Sequence, residues 1–243
     1  MEVVKESDDR TLRGIERDIH ACYAAAGVRG VARSLLATRF RLLPMQSIDA
    51  AVPKSGTILE VGCGQGVLAQ VLHRLSPNRT IVGCDLSESR IAVARRVAQL
   101  AGTDALSFHV ADMCQMPFAA AQFDAAVMAE VLYLIPYTLQ EVALCELARV
   151  LKPGGILVVC EPVSDGSLGS RYHRLQSGVL TRLANLPGGR LLFGHRLRGS
   201  PFVRHADALL ALLSDAGFTG CRIETIHRAI YPHFFACAKM DKR

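Results

Sequence analysis

The middle of the chain alternates between short β-rich runs and stretches with helical periodicity. The β-rich runs are TILEV, TIVGC, LSFHV, DAAVM and GILVVC, which begin at Thr57, Thr80, Leu106, Asp124 and Gly155. Between the first three runs, residues 67–75 and 87–102 place their apolar side chains on one helical face. Alternation of this kind produces a parallel sheet with helices on its faces, so the sequence predicts a doubly wound, Rossmann-like α/β fold.

Two further helices and two more strands are predicted in the second half of the chain. A capping box at Thr138 and Glu141 predicts a helix that ends at KPGG, residues 152–155. A leucine-rich helix is predicted over residues 206–217, and the runs CRIETI and IYPHFFACAKM follow without a helix between them. Because strands joined by a few residues pair in opposite directions, this last pair should be antiparallel.

Length and composition favour one globular domain that stays in the cytoplasm. A chain of 243 residues, 50% of them hydrophobic, can bury one full core. It has no apolar run long enough to span a membrane, and its amino terminus, MEVVKESDDR, is acidic where a secretory signal would be basic. The eight cysteines include no C-x-x-C pair, so we expect free thiols and no metal site.

The net charge of +6 is concentrated in two segments. Residues 166–206 contain seven arginines and no acidic residue, and residues 19–48 contain four arginines and no acidic residue. In both segments arginine alternates with leucine, valine and phenylalanine, an amphipathic pattern that can cover an apolar cavity and present cations at its rim. A solvated arginine-rich face is the alternative interpretation.

A glycine-rich turn, GCGQG, follows the first β-rich run. Gly62, Gly64 and Gly66 lie where a strand passes into a helix, and bare backbone there allows a ligand to approach the helix amino terminus. Tight packing alone could also require these glycines. Asp85 ends the second run, where a carboxylate binds ribose hydroxyls. A nicotinamide oxidoreductase remains a rival, although Val67 stands where a dinucleotide fold has its third glycine.

Five motifs in order resemble those of the class I S-adenosylmethionine-dependent methyltransferases. They are EVGCGQG, GCDLS, ADMCQMPF, FDAAVMAEVLYLI and LARVLKPGGILVV, and together they cover most of residues 57–161. The resemblance implies a seven-stranded sheet, mostly parallel with an antiparallel last strand. It also implies that S-adenosylmethionine is the cofactor.

Carried over residue by residue, the resemblance implies a set of cofactor-binding positions. The methionine and ribose part of the cofactor would contact Glu60, Gly62, Cys63, Gly64 and Gly66, and Asp85 would bind the ribose hydroxyls. Leu86 would pack on the adenine ring, while Asp112 and the Met113 amide would bind its amino group. The sulfonium would lie beside Ala129, Glu130 and Tyr133. Three of these have a simpler alternative interpretation: packing for Cys63, capping of a turn for Asp112, and a position in the wall of the site for Tyr133. Asp124 is interpreted as structural.

The resemblance extends to the branch of this family that acts on small molecules. It implies an amino-terminal helical lid, residues 1–50, a cofactor-binding core, residues 51–162, and a basic insertion after the fifth strand, residues 163–205. Residues 206–243 then complete a single domain. Motifs of nucleic-acid methyltransferases are missing, so nucleic acid is disfavoured in spite of the basic charge.

We expect a small, largely apolar acceptor that is methylated at oxygen, with an aromatic, polyketide-like or carrier-tethered compound as examples. The basic segments would suit an acyl carrier protein or an anionic membrane that holds a lipid or quinone precursor. A protein that binds the cofactor without turnover is the rival from another class. The general base stays unassigned among His20, His173, His195 and Glu161.

Overall fold

Seven strands form a single sheet in a computed structural model, which describes residues 3–162, 205–227 and 232–241. The strands are β1 (Gly56–Val61), β2 (Arg79–Asp85), β3 (Leu106–Val110), β4 (Phe123–Ala129), β5 (Leu151–Pro162), β6 (Phe218–Ile226) and β7 (His233–Met240). Their order across the sheet is β3-β2-β1-β4-β5-β7-β6. The first five strands are parallel, and β7 is antiparallel to both β5 and β6. The predicted fold class is therefore confirmed.

The described helices fall into an amino-terminal group and a group that connects the strands. They are α1 (Val3–Ala25), α2 (Val31–Leu42), α3 (Met45–Ala51), α4 (Val67–Leu75), α5 (Glu88–Ala101), α6 (Tyr137–Val150) and α7 (Ala206–Asp215). A short 3₁₀ helix, Leu132–Leu134, follows β4. Among the described residues, no helix combines the length and the apolar character that a membrane span requires.

The two helices after β1 and β2 begin and end where the sequence predicts. The helix α4 starts directly after Gly66 and stops two residues before Pro77, which cannot continue it. Ser87 caps α5 by accepting a hydrogen bond from the Arg90 amide, and Gly102 ends that helix with a left-handed φ of 65°. Local sequence signals were sufficient here because each helix carries its own stop residue.

The prediction of a capping box at Thr138 and Glu141 is wrong. Helix α6 begins one residue earlier, at Tyr137, with Pro136 in the capping position and no capping hydrogen bond from a side chain. Thr138 is thus already helical and cannot adopt the extended backbone of a cap. The helix also ends at Val150, so that KPGG, residues 152–155, lies inside the long strand β5.

The sheet is covered on both faces by apolar side chains. Alternation along β1 sends Ile58 to the face covered by the amino-terminal helices, α4 and α5, while Leu59 and Val61 point to the face covered by α6 and α7. At the start of β2, the fully buried Arg79 donates to Asp49 and to the Pro53 carbonyl. This contact joins the end of the amino-terminal segment to the amino end of β2, on the side of the sheet away from the glycine turn.

The predicted roles of a lid for residues 1–50 and of a substrate-side insertion for residues 163–205 stay predictions. Residues 3–51 contain three helices, as a helical lid requires, and α1 packs against α4 and α5. The predicted basic insertion lies outside the described residues except for His205, and so do the candidate bases His173 and His195. Asp124, interpreted as structural, accepts from the Thr57 amide at 2.9 Å and pairs with Lys152 at 2.7 Å.

Candidate functional site

The glycine turn at the end of β1 has a backbone that other residues rarely adopt. Gly62, Gly64 and Gly66 have φ values of 67°, 55° and 81°. A Cβ atom on Gly62 would lie 2.4 Å from Val131 Cγ2, so this glycine is required by close packing against the loop after β4. A Cβ on Gly64 would meet its nearest neighbours only at 4.0 Å, and these are side-chain atoms of Arg39 and Arg90. The backbone at Gly64 therefore faces open space that a ligand can fill.

Asp85 connects the end of β2 to the glycine turn. One carboxylate oxygen accepts from the Gly64 amide at 2.9 Å, and the other accepts from the Ser87 amide at 2.8 Å. Each carboxylate oxygen has a second lone pair, so the side chain can still accept from ligand hydroxyls. Asp85 thus both shapes the turn and offers charge beside it.

Glu60 lies beneath the turn rather than on its surface. Its side chain is buried, and Oε2 accepts from the Ala69 amide in the first turn of α4 at 2.9 Å. Burial raises the pKa of Glu60 to about 8, with Asp85 adding to the rise, while the Arg39 charge and the Ala69 amide act against it. Glu60 therefore supports the turn from inside, as a cap on the helix that follows.

Two residues of the amino-terminal helices reach the same turn. The hydroxyl of Tyr23, a fully buried residue of α1, donates to the Gln65 carbonyl at 2.6 Å. Arg39 of α2 carries its guanidinium close to Gly64, among the acidic groups Glu60 and Asp85. One arginine of the first basic segment is thus turned toward the glycine turn.

A second part of the site lies at the carboxyl ends of β2 and β3. Leu86 is 67% exposed and Val110 is 44% exposed, which leaves apolar surface open on both sides of Asp85. Asp112 accepts from the Cys114 amide at 2.8 Å and so does cap a turn, yet it remains exposed. The Met113 side chain is buried, while its neighbour Asp112 is accessible. A flat, partly apolar ring with polar edges fits this edge of the sheet.

The loop after β4 is held by one carboxylate. Glu161, at the end of β5, accepts from the amides of Val131, Leu132 and Tyr133 at 3.0, 2.9 and 3.2 Å. Burial raises the pKa of Glu161 to about 8, although these three amides oppose the rise. Burial also raises the pKa of Tyr133, with contributions from the neighbouring carboxylates, so its phenol is neutral. Ala129, by contrast, is simply packed at the strand end.

Comparison with known proteins identifies the family. Residues 58–155 match the family model of a methyltransferase domain. A crystal structure of an S-adenosylmethionine-dependent methyltransferase from Methanosarcina mazei shares the fold, with a TM-score of 0.63 at 23% identity over 83% of this chain and 99% of that one. The chain is also 35% identical over 178 residues to a demethylmenaquinone methyltransferase of Thermus thermophilus, which covers 72% of this chain and 80% of that protein. The chain belongs to the class I S-adenosylmethionine-dependent methyltransferases.

A further relative supports the small-molecule branch of these methyltransferases. An O-methyltransferase of Pyrenophora dematioidea is 32% identical over 203 residues, or 83% of this chain and 67% of that protein. The chain is accordingly an enzyme that transfers methyl groups from S-adenosylmethionine to small molecules. The match between its five sequence motifs and the family is confirmed.

The residues present fit S-adenosylmethionine. The open space over Gly64 can take the amino-acid part, Asp85 can accept from the ribose, and the exposed Leu86 and Asp112 can hold the adenine by its face and its edge. When bound, the cofactor supplies a methyl group on a positively charged sulfur, which is strongly activated toward attack. The protein then has to align the acceptor and exclude water.

Two of the four candidate bases can be placed in this methyltransferase. His20 packs against the Phe40 ring at a centroid distance of 5.9 Å and lies 3.8 Å from Glu16. Glu161 uses both carboxylate oxygens to hold the loop after β4. Packing and loop support therefore account for these two residues, and neither contact points to proton transfer.

Sequence reasoning did not assign Tyr23, Arg39, Arg90 or His233 to the site of the methyltransferase. Arg39 belongs to the basic segment already noted, but nothing in its sequence context distinguished it from Arg33 or Arg41. The last of the four, His233, pairs with Glu130 at 2.9 Å although the two are 103 positions apart. A contact of that separation leaves no local pattern in one sequence.

Proposed function

We propose that this methyltransferase acts on a small, largely apolar acceptor and methylates it at a hydroxyl oxygen. The observation that carries the proposal is the backbone hydrogen bonding of the loop after β4. From Glu130 to Ile135, every backbone amide already donates to an acceptor within the protein. The loop therefore offers no amide cradle to a phosphate or another anion, and its face toward the acceptor consists of side chains.

The charges around this loop favour a neutral acceptor. Glu130 lies beside Tyr133, whose phenol is neutral, and a carboxylate at Glu130 repels an anionic group brought close to it. A hydroxyl can donate to a carboxylate and lose its proton there, which an oxygen nucleophile needs. The similarity to a fungal O-methyltransferase over 83% of this chain supports the same choice of atom.

A quinone precursor is the second candidate acceptor. The demethylmenaquinone methyltransferase of Thermus thermophilus is 35% identical and is covered to 80% of its length. A reduced quinone is also an apolar compound with a hydroxyl, so the same loop suits it. The two candidates differ in the atom that receives the methyl group.

Labelling with methyl-labelled S-adenosylmethionine and an organic extract of the source cells tests the proposal. We expect label in an apolar product, and mass spectrometry with NMR then assigns the methyl group to oxygen or to carbon. The Gly64→Val variant is the control, because its side chain fills the space over the turn and should abolish cofactor binding. Cofactor binding without any labelled product would instead favour a protein that binds without turnover.

A further inference from the structure

Glu130 has a backbone conformation that is costly for its side chain. It directly follows β4 with a φ of 58°, in the left-handed region that glycine normally occupies. This conformation is energetically unfavourable for a residue that carries a Cβ atom. The Glu130 amide donates to the Cys160 carbonyl at 2.8 Å, which fixes the strained turn at the end of β5. Strain held in this way is typical of functional positions.

The strained turn directs the Glu130 carboxylate to a buried imidazole. Oε1 of Glu130 lies 2.9 Å from Nε2 of His233, the first residue of β7, which pairs with Pro162 at the end of β5. The His233 side chain is 0% exposed, whereas that of Glu130 keeps 10% exposure. Glu130 is therefore the member of the pair that an acceptor can reach, and His233 supports it from inside.

The pair lies next to the cofactor turn. Val131 follows Glu130 directly, and its side chain is the group that a Cβ on Gly62 would strike. Described charged and titratable groups around the pair are Glu161 of β5, Tyr133 of the 3₁₀ helix, Arg39 of α2 and Arg90 of α5. Glu161 is occupied by three amides, and Arg39 and Arg90 lie on the side of Gly64. Glu130 thus lies one residue away from the side chain that packs against the cofactor turn.

We propose that Glu130 is the catalytic base of methyl transfer and that His233 is the positioning residue that holds its carboxylate. This inference rests on the proposed function, because it requires an acceptor with a hydroxyl. Glu130 takes the hydroxyl proton, the acceptor oxygen forms the bond to the methyl carbon, and the electron pair of the broken carbon–sulfur bond stays on sulfur. The proton then leaves Glu130 for solvent, so that the pair returns to its starting state.

The first test measures, by fluorescence and without methyl transfer, whether Glu130 accepts a proton from a bound phenol. The probe is 1-naphthol, an apolar phenol whose fluorescence distinguishes its neutral form from its ionised form, bound to protein saturated with S-adenosylhomocysteine. We expect ionised-form emission from the bound probe in the wild type and neutral-form emission in Glu130→Gln. Glutamine keeps the shape and an oxygen acceptor for His233, so this variant should fold. Glu224→Gln, on the exposed face of β6, is the matched control and should behave as the wild type.

The second test measures turnover with the organic extract of the source cells. General base catalysis contributes on the order of 10²–10⁴-fold, so Glu130→Gln should lower kcat by that factor at S-adenosylmethionine concentrations that calorimetry shows to be saturating. His233→Gln should lower kcat less, leave KM nearly unchanged and shift the acidic limb of the pH–rate profile. A purely structural pair would instead change stability and leave that limb in place.

The outcomes separate this inference from the function on which it rests. Equal emission or equal kcat in the wild type and Glu130→Gln would overturn the role of Glu130 and leave methyl transfer standing. A wild type that binds S-adenosylmethionine but neither methylates the extract nor binds 1-naphthol would overturn the proposed acceptor class, and the base with it. Loss of ionised-form emission together with loss of kcat would establish both.

Discussion

The glycine turn after β1 and the loop after β4 are both fixed by buried carboxylates, but over very different distances along the chain. At the glycine turn, Glu60 binds an amide nine residues away, and Asp85 binds amides 21 and two residues away. At the loop after β4, Glu161 binds amides 28 to 30 residues away, and Glu130 pairs with a histidine 103 residues away. The turn, the half of the site that we expect to hold the cofactor, is fixed mainly by contacts between nearby residues, and the loop, the half that we propose meets the acceptor, depends on the assembled sheet.

This difference matches what each half has to do. The cofactor is the same for every enzyme of the family, so a local strand–turn–helix unit can serve it in many chains. The acceptor differs between enzymes, and contacts from β5 and β7 can vary without disturbing that unit. The two halves meet where Gly62 lies against Val131.

The largest effect is expected where the two halves touch. Gly62→Ala should destabilise the protein by about 2–5 kcal/mol, because a left-handed alanine costs about 1–2 kcal/mol and overpacking against Val131 adds about 1–3 kcal/mol. Gly102→Ala is the matched control, since Gly102 has a φ of 65° with nothing within 4 Å of its Cβ position. Urea unfolding of both variants measures the difference. Equal losses would mean that the halves are not packed together.

The next effect separates the two buried glutamates. Glu161→Gln should cost about 2–4 kcal/mol in unfolding free energy, because an amide NH₂ would face backbone N–H groups where three hydrogen bonds to the carboxyl oxygens now converge. Glu60→Gln should cost less, since a single amide bond to Ala69 can be kept by the new carbonyl oxygen. A larger loss for Glu60→Gln would contradict the loop-holding role of Glu161.

The same variants have an expected signature in pH. Burial raises the pKa values of Glu60 and Glu161 from 4.5 to about 8, so the folded protein holds protons that the unfolded chain has released. Their contribution to stability should therefore be largest near pH 5 and fall as pH rises from about 5 to 8. Each glutamine variant should make that fall shallower in urea unfolding at several pH values. If both variants lose stability with pH as steeply as the wild type, other groups must account for the pH dependence.

The smallest effect concerns one ligand contact. Asp85→Ala should weaken S-adenosylmethionine binding by about 1–3 kcal/mol, because it removes a charged acceptor from the ribose and frees the Gly64 amide. Asp124→Ala is the control, since Asp124 also binds an amide and a lysine, but at the opposite end of the strands. Calorimetry should show normal cofactor affinity for Asp124→Ala. Equal affinities in both variants would remove Asp85 from the site.

The cofactor half could be predicted from sequence because its signals are close together. Gly62, Gly64 and Gly66 follow a β-rich run, Asp85 ends the next run, and Ser87 and Gly102 mark the helix after it. Even there, the sequence did not show that Glu60 lies beneath the turn or that Tyr23 and Arg39 reach it from the amino-terminal helices. The capping box failed for a local reason, since Pro136 already began the helix.

The sequence by itself determined the alternating fold, the parallel sheet with its antiparallel end and the glycine turn, while the identity of the cofactor came from the resemblance of its motifs to a known family. These features depend on side-chain periodicity and on backbone preferences, which act over a few residues. Tertiary structure alone decided that Glu161 would hold the loop after β4 and that His233 would meet a strained Glu130. The first contact arises when β5 pairs with β4, and the second when β7 inserts beside β5, because a sheet brings together the ends of strands that the chain keeps far apart.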